Sequence, residues 1–259
     1  MTSDSLIAVD GVSKTYSTRT GRVEALLDVS FNVGKGEFVA LLGPSGCGKS
    51  TLMMIIAGLL DATSGQVHIG NTVVNKPYTD VGIVFQNHVL LEWRTVLQNV
   101  MFQIEMRHLP MAEYRARARD LLASVSLTGF DDKYPHELSG GMRQRVAICR
   151  SLVHDPPILL MDEPFGALDA LTREQLCIDL EKLWLGAQKT VLFITHSIRE
   201  AVQLADRVIV MTPRPGVIDR VIDIHLPRPR YAGAVATEEF AHLTAEIKDI
   251  FMARGVLRM

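Results

Sequence analysis

One segment of the chain has residue types and spacing that suit the binding of phosphate groups. Residues 43–50 read Gly-Pro-Ser-Gly-Cys-Gly-Lys-Ser and fit the pattern G-x-x-x-x-G-K-[ST]. Glycines let the backbone N–H groups of such a loop wrap around an anion, and a helix that starts there adds a favourable dipole. Lys49 would then contact the β- and γ-phosphates, and the hydroxyl of Ser50 would bind Mg²⁺. A plain glycine turn before a helix is the alternative.

A pair of carboxylates follows a predicted strand further along the chain. The apolar run 158–161 indicates a buried strand, and Asp162 and Glu163 come directly after it. Ligands of open α/β sheets lie at the carboxyl ends of strands, so we expect both acids to face the phosphate loop. Asp162 would reach the Mg²⁺ shell, and Glu163 would orient and deprotonate a water molecule. A helix cap or a surface pair of acids is the alternative.

These two features alone are shared by several classes of nucleotide-binding protein, including kinases, GTPases and helicases. A GTPase is expected to carry an Asn-Lys-x-Asp segment that reads the base. Here Asn75 and Lys76 are followed by Pro77 and Tyr78, so this segment does not fit. The sequence therefore argues against a GTPase.

Further motifs narrow the class. Residues 138–142 read Leu-Ser-Gly-Gly-Met, which resembles the signature motif of ATP-binding cassette (ABC) proteins and precedes the acidic strand as in that family. The family consensus ends this motif in Gln, where this chain has Met142. Four further segments resemble motifs of the same family. Gln86 resembles the residue of the glutamine loop, and Ala167-Leu168-Asp169 resembles the D-loop. His196 resembles the switch histidine, and Tyr16 resembles the aromatic residue that stacks on adenine.

Each weaker motif has a structural alternative when it is considered alone. Gln86 would be an ordinary polar residue at a strand end, and Tyr16 a packed aromatic residue. Residues 139–141 would form a turn with a helix cap, and residues 197–200 after His196 fit a capping box. The order that the motifs share favours the ABC family over these separate interpretations.

The resemblance implies a site for ATP and Mg²⁺ and a reaction that hydrolyses ATP. It implies that two copies pair head to tail, so that one copy's signature motif caps the γ-phosphate held by the other. It assigns catalysis to Glu163, His196 and Gln86. It assigns the binding of Mg²⁺ to Ser50, Gln86 and Asp162. The nucleotide contacts that it implies are Tyr16, Gly43, Pro44, Ser45, Gly46, Cys47, Gly48, Lys49, Ser50, Thr51, Ser139, Gly140, Gly141 and Asp169.

The resemblance also implies a membrane partner. Residues 87–100 would form the groove that receives a permease, because Leu90, Leu91 and Trp93 supply apolar interface material. Packing of this segment inside a helical subdomain is the alternative. Residues 211–218 resemble the ATPases of nitrate, sulfonate and taurine importers, and residues 164–169 are typical of importers. A solute-binding protein is then an indirect partner.

Composition limits the remaining classes. The net charge of −2 gives no sign of a basic face for nucleic acid. Three scattered cysteines form neither a disulfide framework nor a metal spacing, which favours a reducing cytoplasm. Residues 1–5 do not fit a signal peptide, and the apolar run 53–60 is far shorter than the roughly 20 residues that cross a bilayer. We therefore expect a peripheral protein on the cytoplasmic face of the inner membrane.

The pattern of apolar runs predicts an α/β fold: a P-loop NTPase core with a parallel sheet, a small antiparallel β-subdomain and an inserted α-helical subdomain. The cassette is predicted at 1–225, its helical subdomain at about 88–157, and a short C-terminal helical extension at 226–259. Predicted strands are 6–9, 25–27, 38–42, 66–69, 72–74, 81–85, 158–161, 191–194 and 208–211, and predicted helices include 49–60, 172–185, one from 197, and 238–252.

Other functions within the ABC family remain as alternatives. A soluble ATPase of DNA repair or translation would carry tandem cassettes, coiled-coil insertions or zinc modules, which the sequence does not show. An exporter or lipid-extraction ATPase is a second alternative. A purely regulatory nucleotide binder is a third, and Glu163 and His196 argue against it. The cargo is not readable from this sequence, since cargo contacts lie on other chains.

Overall fold

The computed structural model describes residues 5–19, 21–166, 168–231 and 233–256. Ala167 of the predicted D-loop and residues 1–4 lie outside the described residues. The chain forms two compact units, one of Met1–Thr79 with Gln188–Met259 and the other of Asp80–Ala187. The predicted helical subdomain falls inside the second unit, which also contains two strands and a further helix.

An antiparallel sheet occupies the N-terminal part of the first unit. Its strands, in spatial order, are β2 (Gly21–Gly34), β1 (Ser5–Thr18), β4 (Ser64–Ile69) and β5 (Thr72–Val73). The predicted strands 66–69 and 72–74 form a hairpin, with Ile69 opposite Thr72 and Gly70 in the left-handed region at φ +55°. β1 and β2 are much longer than the predicted apolar runs 6–9 and 25–27, because polar residues interrupt the apolar ones along the rest of each strand.

A second group of strands in the first unit carries the phosphate loop. It contains β3 (Phe38–Leu42), β8 (Thr190–Thr195), β9 (Arg207–Met211) and β10 (Ile218–Asp223), in the order β10-β9-β3-β8. β3 pairs in parallel with β8 and β9, and every residue of β3 and β8 is buried. The α/β class with a parallel sheet is therefore confirmed. β10 pairs antiparallel with β9 and was not predicted, because it is a largely exposed edge strand.

Two short helices follow the parallel strands of this unit. Helix α1 (Lys49–Ile56) begins directly after the phosphate loop, and α6 (Ile198–Leu204) begins after β8. The predicted helix 49–60 was too long. Gly58 stands at φ +69°, a left-handed conformation, and a Cβ there would collide with the backbone of Lys76.

The C-terminal part of the first unit ends in helix α7 (Glu238–Ala253), close to the predicted 238–252. Thr237 caps it by accepting a hydrogen bond from the N–H of Phe240, and Phe240, Ile247 and Phe251 are its buried residues. The segment before α7 is anchored by Arg230, which is 1% exposed. Its guanidinium donates to the carbonyl oxygens of Leu226, Val202, Gln203, Ala205 and Ile224.

The second unit combines a parallel strand pair with helices. The strands are β6 (Val81–Val84) and β7 (Ile158–Asp162), and the helices are α2 (Val96–Met106), α3 (Met111–Ser124), α4 (Gly140–Leu152) and α5 (Ala170–Ala187). The helical character predicted for this region is confirmed. α2 begins with a capping box of Thr95 and Gln98. Apolar residues at helical spacing form its core, including Val96, Val100, Ile104, Leu122 and Val146.

In the described parts of the chain, the helices are all too short or too polar to serve as a membrane span.

Candidate active site

The phosphate loop wraps around the ammonium group of its own lysine. Lys49 is only 4% exposed, and its Nζ donates hydrogen bonds to the carbonyl oxygens of Gly43 (2.9 Å) and Pro44 (3.0 Å). Gly46 and Gly48 stand at φ +78° and +104°, which favour glycine. The loop thus holds a fixed positive charge at the start of α1, where the helix dipole also favours an anion.

Close packing against β2 explains why the loop needs small residues. A Cβ at Gly48 would lie 2.7 Å from Cδ2 of Leu26 and 2.8 Å from the carbonyl oxygen of Ala25. Cys47 is buried, whereas Ser45 and Ser50 are exposed. Ser50 is open to solvent, and its role as a metal ligand stays a prediction.

Tyr16 lies beside the first turn of α1. Its hydroxyl is 3.3 Å from Oγ1 of Thr51, and Nζ of Lys14 lies 5.3 Å from the ring centre. The side chain is 36% exposed, so it is not a fully packed aromatic residue. An aromatic ring held at the edge of a phosphate loop can stack on a base.

His196 and the phosphate loop come from the same edge of the sheet. Leu42 pairs with Thr195 in the parallel register of β3 and β8, so Gly43 and His196 each follow a paired residue. His196 is exposed. The N-cap expected after it is present, since Ser197 accepts a hydrogen bond from the N–H of Glu200. The structure brings His196 and the start of the phosphate loop to neighbouring strand ends.

The acidic pair in the second unit stands at the end of β7. Asp162 is 8% exposed and ends the strand. Glu163 is half-buried and has φ +42°, a left-handed conformation that a non-glycine residue adopts at some cost. The side-chain amide of Gln86 donates to Oε2 of Glu163 at 3.4 Å. The sequence-predicted Gln86 and Glu163 are therefore in contact.

The donor atoms fit the metal that was predicted. Ser50, Gln86 and Asp162 offer a hydroxyl, an amide carbonyl and a carboxylate, and Mg²⁺ prefers such oxygen ligands. Gln86 and Asp162 belong to the second unit, and Ser50 belongs to the first.

The predicted signature motif forms the N-terminus of α4. Ser139 is the N-cap and accepts a hydrogen bond of 3.3 Å from the N–H of Met142. Ser139 and Gly140 are exposed, whereas Gly141 is buried, and a Cβ at Gly141 would collide with Thr172. The cap that sequence analysis gave as the alternative is present. It is compatible with anion binding, because a capped helix start still presents N–H groups.

Asp169 caps the start of α5. Its Oδ1 accepts a hydrogen bond of 3.1 Å from the N–H of Thr172. Hydrogen bonds from the side chain and backbone of Thr172 lower the pKa of this carboxyl. Asp169 is exposed and therefore remains accessible to a partner.

One hydrogen-bonded link near the signature motif was not predictable from the sequence. Nε of Arg143 donates to Nε2 of His88 at 2.8 Å, and Nη1 of Arg143 donates to the carbonyl oxygen of Leu138 at 2.9 Å. Burial and then the charge of Arg143 lower the pKa of His88, which favours the neutral form of the ring that can accept this bond. The link connects the segment after Gln86 to the start of the signature motif. Neither residue carries a recognisable spacing in the sequence.

The segment predicted to receive a permease divides into buried and exposed residues. Leu90 is 8% exposed and packs in the helical core, whereas Trp93 is 74% exposed. Leu90 therefore packs inside the helical subdomain and Leu91 is half-buried, whereas Trp93 and Val89 are exposed. Arg94, the next residue, is paired with Glu105 and borders a cavity of about 190 Å³.

The comparisons with known proteins define the class. A family model described as "ABC transporter" matches residues 26–166. This match covers the phosphate loop, the signature motif and the acidic strand. The chain belongs to the ABC transporter family and is an ATPase of that family.

Relatives and a solved structure match most of the chain. The taurine import ATP-binding protein TauB of Rhizobium johnstonii is 45% identical, with 98% of this chain and 99% of the relative covered. The aliphatic sulfonates import ATP-binding protein SsuB of Bacillus cereus is 40% identical, with 97% and 98% covered. A dimeric post-hydrolysis structure of the ATP-binding cassette MJ0796 bound to ADP and Pi is 36% identical, has a TM-score of 0.75, and is matched over 85% of this chain and 99% of that one.

Proposed function

We propose that this chain is the ATPase subunit of an importer for a small oxyanionic solute of the nitrate, sulfonate or taurine type. Two copies would close on ATP beneath a membrane permease, and hydrolysis would reopen them. The observation that carries the catalytic part is the contact between Gln86 and Glu163 at the ends of two parallel strands. The likeness to taurine and sulfonate import proteins supports the transport part.

Binding of the nucleotide is assigned to the first unit. Residues 43–51 would hold the phosphates, with Lys49 exchanging its carbonyl partners for β- and γ-phosphate oxygens. This exchange replaces neutral acceptors with charged ones, which favours it. Tyr16 would stack on the adenine.

Hydrolysis is assigned to an acid, an amide and a histidine. Glu163 would accept a proton from the attacking water, and Gln86 would orient its carboxylate. His196 would donate to the γ-phosphate, where negative charge accumulates in the transition state. Ser50, Gln86 and Asp162 would hold Mg²⁺, which neutralises phosphate charge when it is bound.

The site is proposed to need a second copy of the chain. The exposed N-terminus of α4 carries Ser139 and Gly140, which would contact the γ-phosphate bound by the other copy. Asp169 is also exposed and would lie at the same interface. The dimer of the MJ0796 cassette supports this arrangement. ATP would then act as part of the interface between the copies.

The membrane partner is proposed to dock at the exposed Trp93. Indole side chains frequently anchor interfaces, and the indole of Trp93 is largely exposed to solvent. The partner would be an integral membrane permease, served by a solute-binding protein. The ATPase would therefore work at the cytoplasmic face of the inner membrane, without contact to nucleic acid.

Transport in proteoliposomes tests this proposal. The chain is co-purified with a permease encoded beside its gene, reconstituted, and supplied with the solute-binding protein from the same locus. We expect ATP-dependent uptake of a taurine-like sulfonate or of nitrate, and no uptake with Lys49→Ala. ATP-driven release of solute in the opposite direction would instead identify an exporter.

A further inference from the structure

The turn at residues 212–217 packs on the phosphate loop. It reads Thr-Pro-Arg-Pro-Gly-Val and joins β9 to β10. Thr212 closes it: the N–H of Thr212 donates to the carbonyl oxygen of Val217 (3.0 Å), and the N–H of Val217 donates back to Oγ1 of Thr212 (3.2 Å). Oγ1 of Thr212 also donates to the carbonyl oxygen of Pro215 at 3.2 Å. These bonds make the turn a defined structure.

Backbone hydrogen bonds fix the same turn to β2. The N–H of Gly216 donates to the carbonyl oxygen of Ala25 (3.0 Å), and the N–H of Leu27 donates to that of Gly216 (3.1 Å). Gly216 is buried, and a Cβ there would collide with the carbonyl oxygen of Cys47. The turn is therefore in direct contact with the backbone of the phosphate loop.

Arg214 extends from this turn to the tip of the phosphate loop. Its Nε and Nη2 atoms donate to the carbonyl oxygen of Gly46 at 3.2 Å and 3.0 Å. The two residues are 168 positions apart in the chain. A guanidinium is always charged and presents a rigid fork of donors, so both bonds to this carbonyl are charge-assisted.

We propose that Arg214 is a positioning residue for the phosphate loop. Gly46 is at φ +78° and has no side chain, so its own conformational preference does not fix the peptide that follows it. The carbonyl of Gly46 and the N–H of Cys47 point in opposite directions across a planar trans peptide. The N–H of Cys47 donates to the carbonyl oxygen of Pro44 at 3.3 Å, so Arg214 holds the other side of a peptide that also closes the loop. Fixing this peptide plane keeps the loop in the shape that presents its other N–H groups to a phosphate.

This inference rests on the proposed nucleotide site, and the experiment separates the two. Binding of ADP to the full chain is measured by titration calorimetry for the wild type, Lys49→Ala, Arg214→Ala and Arg214→Lys. ADP lacks the γ-phosphate that is proposed to need a second copy. Arg220→Ala is the matched control, because Arg220 is an exposed arginine on the adjoining strand β10. Unfolding midpoints without nucleotide are measured for each variant.

We expect Arg214→Ala to raise the Kd for ADP about tenfold, the loss expected when the charge-assisted hydrogen bonds of an exposed arginine are removed. Arg214→Lys keeps a charged donor and should bind within about threefold of the wild type. Arg220→Ala should not differ from the wild type, and the unfolding midpoint should stay unchanged. A purely structural role would instead lower the midpoint and would not be rescued by lysine.

A second variant keeps the inference testable if Arg214→Ala fails to fold. Thr212→Val removes the hydroxyl that closes the turn while leaving Arg214 in place. It should weaken ADP binding about threefold, since the arginine is then held less firmly. Wild-type affinity in both Arg214→Ala and Thr212→Val, with binding lost in Lys49→Ala, would overturn the positioning role of Arg214 but leave the nucleotide site in place. Wild-type affinity in Lys49→Ala would overturn the nucleotide site itself.

Discussion

The side-chain amide of Gln86 donates a hydrogen bond of 3.4 Å to the carboxylate of Glu163, although the residues are 77 positions apart. The parallel register of β6 and β7 causes this contact, because Val84 pairs with Met161 and both residues follow that pair at the same spacing. A donor on one carboxylate oxygen orients the other oxygen. The contact supports Glu163 as the base and Gln86 as the residue that positions it.

The first prediction concerns the pairing of two copies. Lys49→Ala and Ser139→Arg should each abolish ATP hydrolysis in homodimers, because one removes the phosphate ligand and the other blocks the exposed start of α4. Mixing the two variants should restore activity, since each heterodimer regains one intact composite site. The measurement is ATP turnover of the mixture, with heterodimers isolated by two different tags. No recovered activity in isolated heterodimers would argue against head-to-tail pairing.

Ser139→Asp separates the helix cap from the contact with phosphate. Aspartate caps a helix about as well as serine, so the stability of the chain should be retained. Its negative charge should nevertheless repel a γ-phosphate and prevent ATP-driven pairing. Pairing at the wild-type level would restrict Ser139 to its role as a cap.

The second prediction concerns the adenine. Tyr16→Ala should weaken ATP binding by about 1–3 kcal/mol, the usual contribution of a base stacked on an aromatic ring. Tyr16→Phe loses only the hydroxyl near Thr51 and should bind ATP nearly as tightly as the wild type. Preference for ATP over GTP should be modest, because every base has a stacking face. Unchanged affinity of Tyr16→Ala in a nucleotide titration would remove Tyr16 from the site.

The third prediction concerns stability and pH. Burial, followed by the charge of Arg107, lowers the pKa of His154 from 6.5 to about 4. The unfolded chain therefore binds more protons than the folded chain between these pH values, so the free energy of unfolding should fall as pH drops from 6.5 toward 4. The lowered pKa of His88 acts in the same direction. Urea denaturation across this range should show a weaker pH dependence in His154→Gln, and an identical dependence would contradict the assignment.

Local sequence patterns predicted the elements that carry the chemistry. β3, β7 and β8 are continuous apolar runs because their residues are almost all buried, and such runs are visible without knowledge of the fold. The phosphate loop was recognisable because its glycines and Lys49 act within one short segment of the chain. The order of the motifs then identified the family.

Contacts between distant segments could not be predicted in this way. Arg143 meets His88 across 55 positions, and Arg214 meets Gly46 across 168 positions. The edge strand β10 has a mixed polar sequence that only its pairing with β9 makes a strand. In each case the partner is supplied by tertiary structure, which leaves no periodic signal in the residues themselves.

The fourth prediction concerns docking to the permease. Trp93→Ala should leave the ATPase activity of the isolated subunit unchanged, because the side chain is 74% exposed. It should weaken binding to the permease by about 2 kcal/mol or more, as for a central interface tryptophan. Val221→Ala removes an exposed apolar side chain from the first unit and serves as the control. Wild-type co-purification and uptake with Trp93→Ala would place the docking surface elsewhere.

The most direct measurement is ATP turnover of Glu163→Gln, which keeps the shape of the side chain and removes its basicity. Turnover should fall by about 10²–10⁴-fold, the usual contribution of a positioned base, while ATP binding stays nearly intact. Size-exclusion chromatography with ATP should show a stable dimer of this variant. Glu113→Gln changes an exposed glutamate on α3 and should have wild-type turnover. Near wild-type turnover of Glu163→Gln, with no dimer trapped by ATP, would contradict the account.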